Sequence, residues 1–288
     1  MVTLIGIPYI DQPNMMIDCI NSIVETTKKN SVYLLFIDNG SQITTRRLIQ
    51  NHLTMRTCYH YMKFNNSNIG VPKSWNQMID VFLENDLDKF DLEYLCILNN
   101  DVICQPPFRK RCSENGENPP RSENGKNPPI PFFKGYDWHS KKHSLEKSVP
   151  IGLSWLDELI AAIKETKSDI AFSSSKGNCA AIQNYDPKKE RFYISKDEEL
   201  TGYCFLMTKD TIKKYGKFNE SYGIGLFEET EYVHNIRKNG GKAVIANHSY
   251  VQHLGSKTFN DIMTLTEYCR LFEVNKHLFK KGVAKTEE

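Results

Sequence analysis

The chain has 288 residues, 37 Lys+Arg against 35 Asp+Glu, 40% apolar residues and a mean hydropathy of -0.50. That length suits one large α/β domain or two smaller ones, and it needs no staple to bury a core. The formal charge of +2 argues against nucleic acid as the main partner, and 11% aromatic residues with balanced charge exclude a wholly disordered chain.

Val2–Ile7 and Val32–Ile37 are short apolar runs ended by turn-formers, Pro8 and Asp38-Asn39-Gly40-Ser41. Between them Met16, Ile17, Ile20, Ile23 and Val24 recur at helical spacing, with Pro13 near the helix start. Strand–helix–strand predicts the start of a parallel α/β sheet. A helix around Thr45–His52, a strand near Cys58–Lys63, a polar loop over Asn65–Gly70 and a helix from Pro72 to Leu83 follow. Glu93–Leu98 is another buried strand, running straight into Asn99-Asn100-Asp101.

Residues 113–121 and 122–130 then form a tandem repeat, SENGENPPR and SENGKNPPI, too rich in Pro, Gly and Asn to bury a core. Residues 104–150 read as a loop insertion within one domain, carrying nine Lys+Arg against five Asp+Glu. Order resumes with a helix over Trp155–Thr166 and a strand over Ile170–Ser174. An apolar run at Leu200–Thr208, a short helix at Thr211–Tyr215 and a helix over Glu229–Asn239 come next, the last ended by Gly240-Gly241. Lys242–Ala246 is a strand, and Ile262–Phe279 an amphipathic helix within a tail of residues 261–288.

The N-terminal run lacks a basic segment and a cleavage site, so it reads as a strand and not a signal peptide. No run approaches ~18 apolar residues, so no membrane span is expected; Lys280-Lys281 offers at most a peripheral membrane contact. The eight cysteines contain no C-x-x-C pair, which argues against structural zinc and for a reducing compartment. A soluble cytoplasmic protein is the expectation.

Four features carry chemistry. Asp38 stands just past the end of a strand, where open α/β sheets bind ligands, although Asp-Asn-Gly reads first as a turn. Asn99-Asn100-Asp101 puts oxygen donors suited to a hard divalent cation at another strand end. Glu228, Glu229 and Glu231 crowd a helix start, where the dipole favours acids and where a general base can also sit. His253 follows a short strand and precedes a Gly/Ser/Lys/Thr loop, with His248 as a competing histidine.

The order of these features resembles the inverting family 2 glycosyltransferases with the GT-A fold, particularly the rhamnosyl- and galactofuranosyltransferase branch. The matching pieces are FIDNGS at 36–41, NIGVPKSWN at 68–76, LNNDV at 98–102, WLDELIAAIKETKSDIAFSSS at 155–175, the LTGYCFLM to GGKA segment at 200–243 and HLGSKT at 253–258. They span most of residues 2–260 outside the insertion. The resemblance implies an α/β GT-A fold over 1–260, a Rossmann-like and mostly parallel sheet flanked by helices, with a C-terminal helical tail.

It also implies an activity: transfer of a sugar from a nucleotide-diphosphate sugar to an acceptor hydroxyl, such as one on a glycan, with inversion and with Mn2+ or Mg2+ as cofactor. By the same resemblance Glu229 is the catalytic base and Glu228 its neighbour. Pro8, Asp38, Asn68, Gly70, Asn76, Asn100 and Gly202 fall at donor-binding positions. Asp101, His253 and Asn99 fall at the metal site, with Asn99 replacing the usual first Asp and removing one anionic contact. That replacement supports an alternative, a non-catalytic nucleotide-sugar- or glycan-binding protein of the same fold. A sugar nucleotidyltransferase is disfavoured because no basic glycine-rich phosphate loop follows the first strand.

Overall fold

A computed structural model of the chain describes residues 2–28, 31–56, 58–84, 90–106, 153–196, 199–255 and 257–285. In chain order its elements are β1 (Val2–Tyr9), α1 (Pro13–Thr26), β2 (Val32–Asp38), α2 (Ile43–Thr54), β3 (Tyr59–Phe64), α3 (Val71–Glu84), β4 (Leu92–Leu98), β5 (Val102–Cys104), α4 (Trp155–Thr166), β6 (Ile170–Ser174), β7 (Phe192–Ser195), β8 (Cys204–Thr208), α5 (Lys209–Tyr215), α6 (Glu228–Lys238), β9 (Ala243–His253), α7 (Lys257–Ile262) and α8 (Leu265–Lys285). All of them, α8 included, belong to one compact unit formed by 1–106 and 154–288. The nine-residue repeat lies outside the described residues. Cys104, expected to open the insertion, instead ends β5.

The strands form one sheet in the order β3-β2-β1-β4-β8-β6-β9-β5, with β7 also paired to β9. Strands β1, β2, β3 and β4 are mutually parallel, and β6 and β9 run the same way. Strand β8 is antiparallel to both of its neighbours, β4 and β6. The short strands β5 and β7 run against β9. Period-two alternation sends successive residues to opposite faces, so Ile5, Ile7, Leu34 and Phe36 face one core and Leu4, Leu35 and Ile37 the other. Helices α1, α2 and α4 cover the first face through Met16, Ile20, Ile49 and Leu159; α3, α5 and α6 cover the second through Trp75, Met78, Ile212 and Ile236.

Local chemistry explains most boundaries. Pro13 sits in the first turn of α1, where its missing N–H costs nothing. Ser154 caps α4 by accepting from Asp157 N, and Lys167 closes the helix in the left-handed conformation. The helix expected over Ile262–Phe279 begins instead at Leu265 and runs on to Lys285 as α8, with the separate α7 ending at Ile262. The cause is a reciprocal cap: Thr264 N donates to Glu267 Oε2 at 2.7 Å, and Glu267 N donates to Thr264 Oγ1 at 3.3 Å. Strand β9 runs on beyond Ala246, where the sequence suggested it ends. A register shift opposite Ser173 and Ser174 absorbs the polar residues 247–249. There Ser174 Oγ donates to the Asn247 carbonyl at 2.7 Å, and Ser173 and Ser249 hydroxyls meet at 2.8 Å.

Helix α8 is tied down by one buried side chain. Asn275 Nδ2 donates to the carbonyls of Tyr222 and Gly225 at 3.0 and 2.7 Å, and Phe272 and Phe279 pack on Phe227 beside it. Asn275→Ala removes the side-chain donor from both carbonyls, leaving Tyr222 O only the Gly225 N–H at 3.3 Å, and is expected to destabilise the chain by about 1–3 kcal/mol, read as a lower denaturant midpoint at unchanged slope.

Candidate active site

The parallel strands β1, β2 and β4 all end on one edge of the sheet, in register Tyr9↔Asp38 and Gly6↔Ile97. Because β8 is reversed, with Leu98↔Cys204 paired, its entry residues Gly202 and Tyr203 lie on that same edge. The far end of β9 reaches it too, since His253 pairs with Val102 at the start of β5. One edge therefore gathers the Asp38 turn, the Asn99–Asp101 turn, Gly202 and His253, in the place where open α/β sheets hold ligands.

Asp101 and His253 form the first polar pair. His253 Nε2 lies 3.4 Å from Asp101 Oδ1, with both side chains below one-tenth exposed. The other ring nitrogen, Nδ1, meets the main-chain carbonyl of Asn178, which can only accept. Nδ1 therefore carries a proton, and a neutral imidazole turns the lone pair of Nε2 toward Asp101. Asp101 Oδ1 is itself buried and accepts no hydrogen bond among the described residues, and buried Asn100 Nδ2 donates none there. Two converging lone pairs repel unless a proton or a cation sits between them. The His253 ring is backed by Tyr203, stacked at 4.7 Å between centroids.

Glu228 and Glu229 open α6 and form the second centre. Glu229 Oε1 accepts from the Gly202 N–H at 3.1 Å, while Oε2 is buried with no partner among the described residues. Glu228 Oε2 is likewise buried and unpartnered. Burial raises the pKa of both carboxyls; the Glu229 charge lifts Glu228 further, and nearby backbone N–H groups offset part of each shift. Gly202 has no room for a side chain. An added Cβ would stand 2.9 Å from Trp75 Cη2 and 3.1 Å from Glu229 Cβ. The two centres are joined by adjacent residues, since Gly202 holds Glu229 and the Tyr203 carbonyl accepts from Asn99 N at 2.9 Å.

No family model and no curated protein matches the sequence. Solved structures do match. Over 88% of this chain and 57% of the other, the chain superposes on a mannosyltransferase from Pyrobaculum calidifontis in complex with GDP-Man and Mn2+, with a TM-score of 0.55 and 8% identity. It superposes on GalNAc-T7 with UDP, GalNAc and Mn2+ over 88% of this chain and 43% of that one, with a TM-score of 0.59 and 12% identity. The fold is that of the GT-A glycosyltransferases. At these identities the likeness is one of fold, and the chain spans about half the length of these structures.

Within this GT-A fold several of the residues expected at donor positions are held by the protein's own groups. Asp38 is fully buried; Oδ1 accepts from the N–H groups of Gly40 and Ser41 at 2.9 and 2.7 Å, and Oδ2 from Tyr9 Oη and Arg46 Nε at 2.9 and 3.0 Å. The carboxylate expected to meet a nucleotide base thus organises the turn beside it. Asn76 is also consumed: Nδ2 donates to Phe218 O and Glu220 Oε1, and Oδ1 accepts from Phe218 N, each at 2.9 Å. It faces the 218–220 loop. Gly70, at φ +86°, admits the Gly223 carbonyl, which an added Cβ would meet at 1.9 Å. The close approach expected from a nucleotide is made here by the protein's own chain.

Asn68 accepts from Gly70 N at 3.0 Å, and Pro8 is buried in β1. Asn99 is engaged through its main chain, with its carbonyl accepting from Val102 N at 3.3 Å. Asn100 Oδ1 accepts from Thr258 Oγ1 at 3.2 Å. Exposed His248, the competing histidine, lies outside the Asp101–His253 pair. Tyr203, Asn178, Trp75 and Thr258 went unnoticed in the sequence, because an aromatic in an apolar run reads as core and a carbonyl leaves no trace in residue identity.

The raised carboxyl pKa values give a stability signature. Between the ordinary glutamate value and the raised one, the folded chain binds more protons than the unfolded chain, so stability falls as pH rises. Glu228→Gln removes one such group. Its stability relative to the parent is expected to grow by up to about 1.4 kcal/mol per pH unit across that window, measured by urea unfolding at several pH values.

Proposed function

We propose that the chain is an inverting, metal-dependent glycosyltransferase of the family 2 kind, moving a sugar from a nucleoside-diphosphate sugar to an acceptor hydroxyl. One observation carries this reading: a carboxylate–imidazole pair with an unpartnered buried oxygen and a glutamate with an unpartnered buried oxygen share one sheet edge, joined through Gly202-Tyr203. The neighbours of the same fold support it, having been solved with a nucleotide or nucleotide sugar and Mn2+.

The residues present fit a divalent cation. Asp101 offers an unshared carboxylate oxygen, and His253 a nitrogen whose tautomer is set by the Asn178 carbonyl. Among the described residues no cluster of three or more His, Cys, Asp or Glu is disposed around a metal, so the protein supplies few ligands. That is how Mg2+-type ions bind when substrate phosphates complete their shell. When bound, the ion neutralises the charge that develops on the departing diphosphate. Asn99 borders the pair as the neutral member of the motif, and Asn68, Asn100 and Gly202 line the donor side.

Glu229 is the base. Gly202 N–H fixes one oxygen, and Oε2 takes the proton from the acceptor hydroxyl as that oxygen attacks the anomeric carbon opposite the diphosphate. The bond to the acceptor forms while the bond to the diphosphate breaks, which inverts the centre. A raised pKa strengthens the base, and the Glu229 charge lifts the neighbouring Glu228 carboxyl further.

The test is turnover of a panel of nucleotide sugars with and without Mn2+ or Mg2+, followed by an acceptor assay. Chelation and Asp101→Ala are expected to abolish turnover. Glu229→Gln is expected to lower acceptor kcat by about 10²–10⁴ with little change in donor KM. Saturable donor binding with no turnover for any acceptor would assign the chain to the non-catalytic binding proteins.

A further inference from the structure

We infer that Tyr203 is a positioning residue whose ring holds the His253 imidazole in the orientation a divalent cation requires; the inference rests on the metal site proposed above. The two rings stack with centroids 4.7 Å apart and planes 15° from parallel. Tyr203 is fully buried at the start of β8, and its hydroxyl donates to the Ser173 carbonyl at 2.6 Å. The phenol is therefore anchored at its far end and cannot slide off the imidazole.

The rest of His253 is held mainly through its backbone, paired with Val102 and with its carbonyl accepting from Asn178 Nδ2 at 3.3 Å. Its main-chain N–H donates to Ser175 Oγ at 3.1 Å, and Nδ1 meets the Asn178 carbonyl. One hydrogen bond at Nδ1 fixes the tautomer and one in-plane direction, but it leaves the ring free to tilt about that bond. A flat aromatic face removes the tilt, and such stacks stabilise by about 0.5–1.5 kcal/mol beyond area burial. Outer contacts of this kind set ligand orientation, and their loss typically weakens metal binding by about 10–100-fold.

The same residue also registers the second ligand. The Tyr203 carbonyl accepts from Asn99 N at 2.9 Å, at the head of the turn that carries Asp101. Ring and carbonyl of one buried residue thus set the spacing of His253 and Asp101, which stand 3.4 Å apart. Ordinary core packing would require neither the near-parallel stack nor the shared carbonyl.

The experiment is Mn2+ titration of the full chain, followed by the paramagnetic resonance of free Mn2+, with and without UDP or GDP. The variants are Tyr203→Phe, Tyr203→Leu, His253→Ala and the Tyr203→Leu/His253→Ala pair. Tyr203→Phe keeps the stacked ring but loses its hydroxyl anchor, and is expected to lose clearly less affinity than Tyr203→Leu. Tyr203→Leu is expected to lose about 10-fold or more. In the His253→Ala background, Tyr203→Leu is expected to have no further effect, because its influence runs through the imidazole.

Circular dichroism checks that each variant is folded, and Tyr203→Met replaces Tyr203→Leu should the latter not fold. Parent-like Mn2+ affinity in Tyr203→Leu, equal losses in the Phe and Leu variants, or losses that add in the double variant would overturn the inference and leave the metal site standing. Failure of the parent chain to take up Mn2+ under any of these conditions would overturn both.

Discussion

Because β8 runs antiparallel between β4 and β6, the residues entering it lie where the parallel strands leave off. A fully parallel sheet would have sent Gly202 and Tyr203 to the opposite edge, far from the Asp101 turn. The reversal makes two consecutive residues serve three partners. Gly202 N–H holds Glu229, the Tyr203 carbonyl holds the Asn99 turn, and the Tyr203 ring backs His253. The two polar centres are coupled through two consecutive residues inside a close-packed core, which leaves little slack for one to move without the other.

Both centres are built from groups that burial disfavours. Charged carboxyls without full hydrogen bonding are expensive in a low-dielectric interior, and the fold keeps three such oxygens on Asp101, Glu228 and Glu229. The contrast with Asp38 is instructive. That carboxylate is buried more completely, yet every one of its oxygens is answered by a tyrosine, an arginine or a backbone N–H. A satisfied carboxylate holds structure together, whereas an unsatisfied one is poised for a ligand or a proton. The difference between the two is invisible in residue type.

The C-terminal segment extends the same logic. Thr258 of α7 bonds Asn100 beside the Asp101–His253 pair, and Phe259 lies close to Gly225. Asn275 of α8 satisfies carbonyls in the loop that leads into Glu228. The tail is therefore part of the site's support, joined to both centres through polar side chains.

How much of this was legible in the sequence follows from how local the signal was. Strands β1, β2, β4 and β6 and helices α1, α3 and α4 were readable because apolar periodicity and capping residues are local properties. The continuation of β9 was hidden by the polar stretch 247–249, which only a partner strand accommodates. Asp101, Glu229 and His253 stood out as residue types that bind ions and protons, but Asp101 is separated from the other two by over a hundred residues of chain. Their meeting depended on strand order and on the reversal of β8. The roles of Asp38, Gly70 and Asn76 were likewise decided by what the folded chain brought against them: Arg46 and Tyr9, the Gly223 carbonyl, and the Phe218 main chain. The sequence by itself determined the elements and the chemical vocabulary, because those depend on neighbours along the chain. The tertiary structure decided which polar groups were satisfied and which were left waiting, because a hydrogen bond is made by proximity in space.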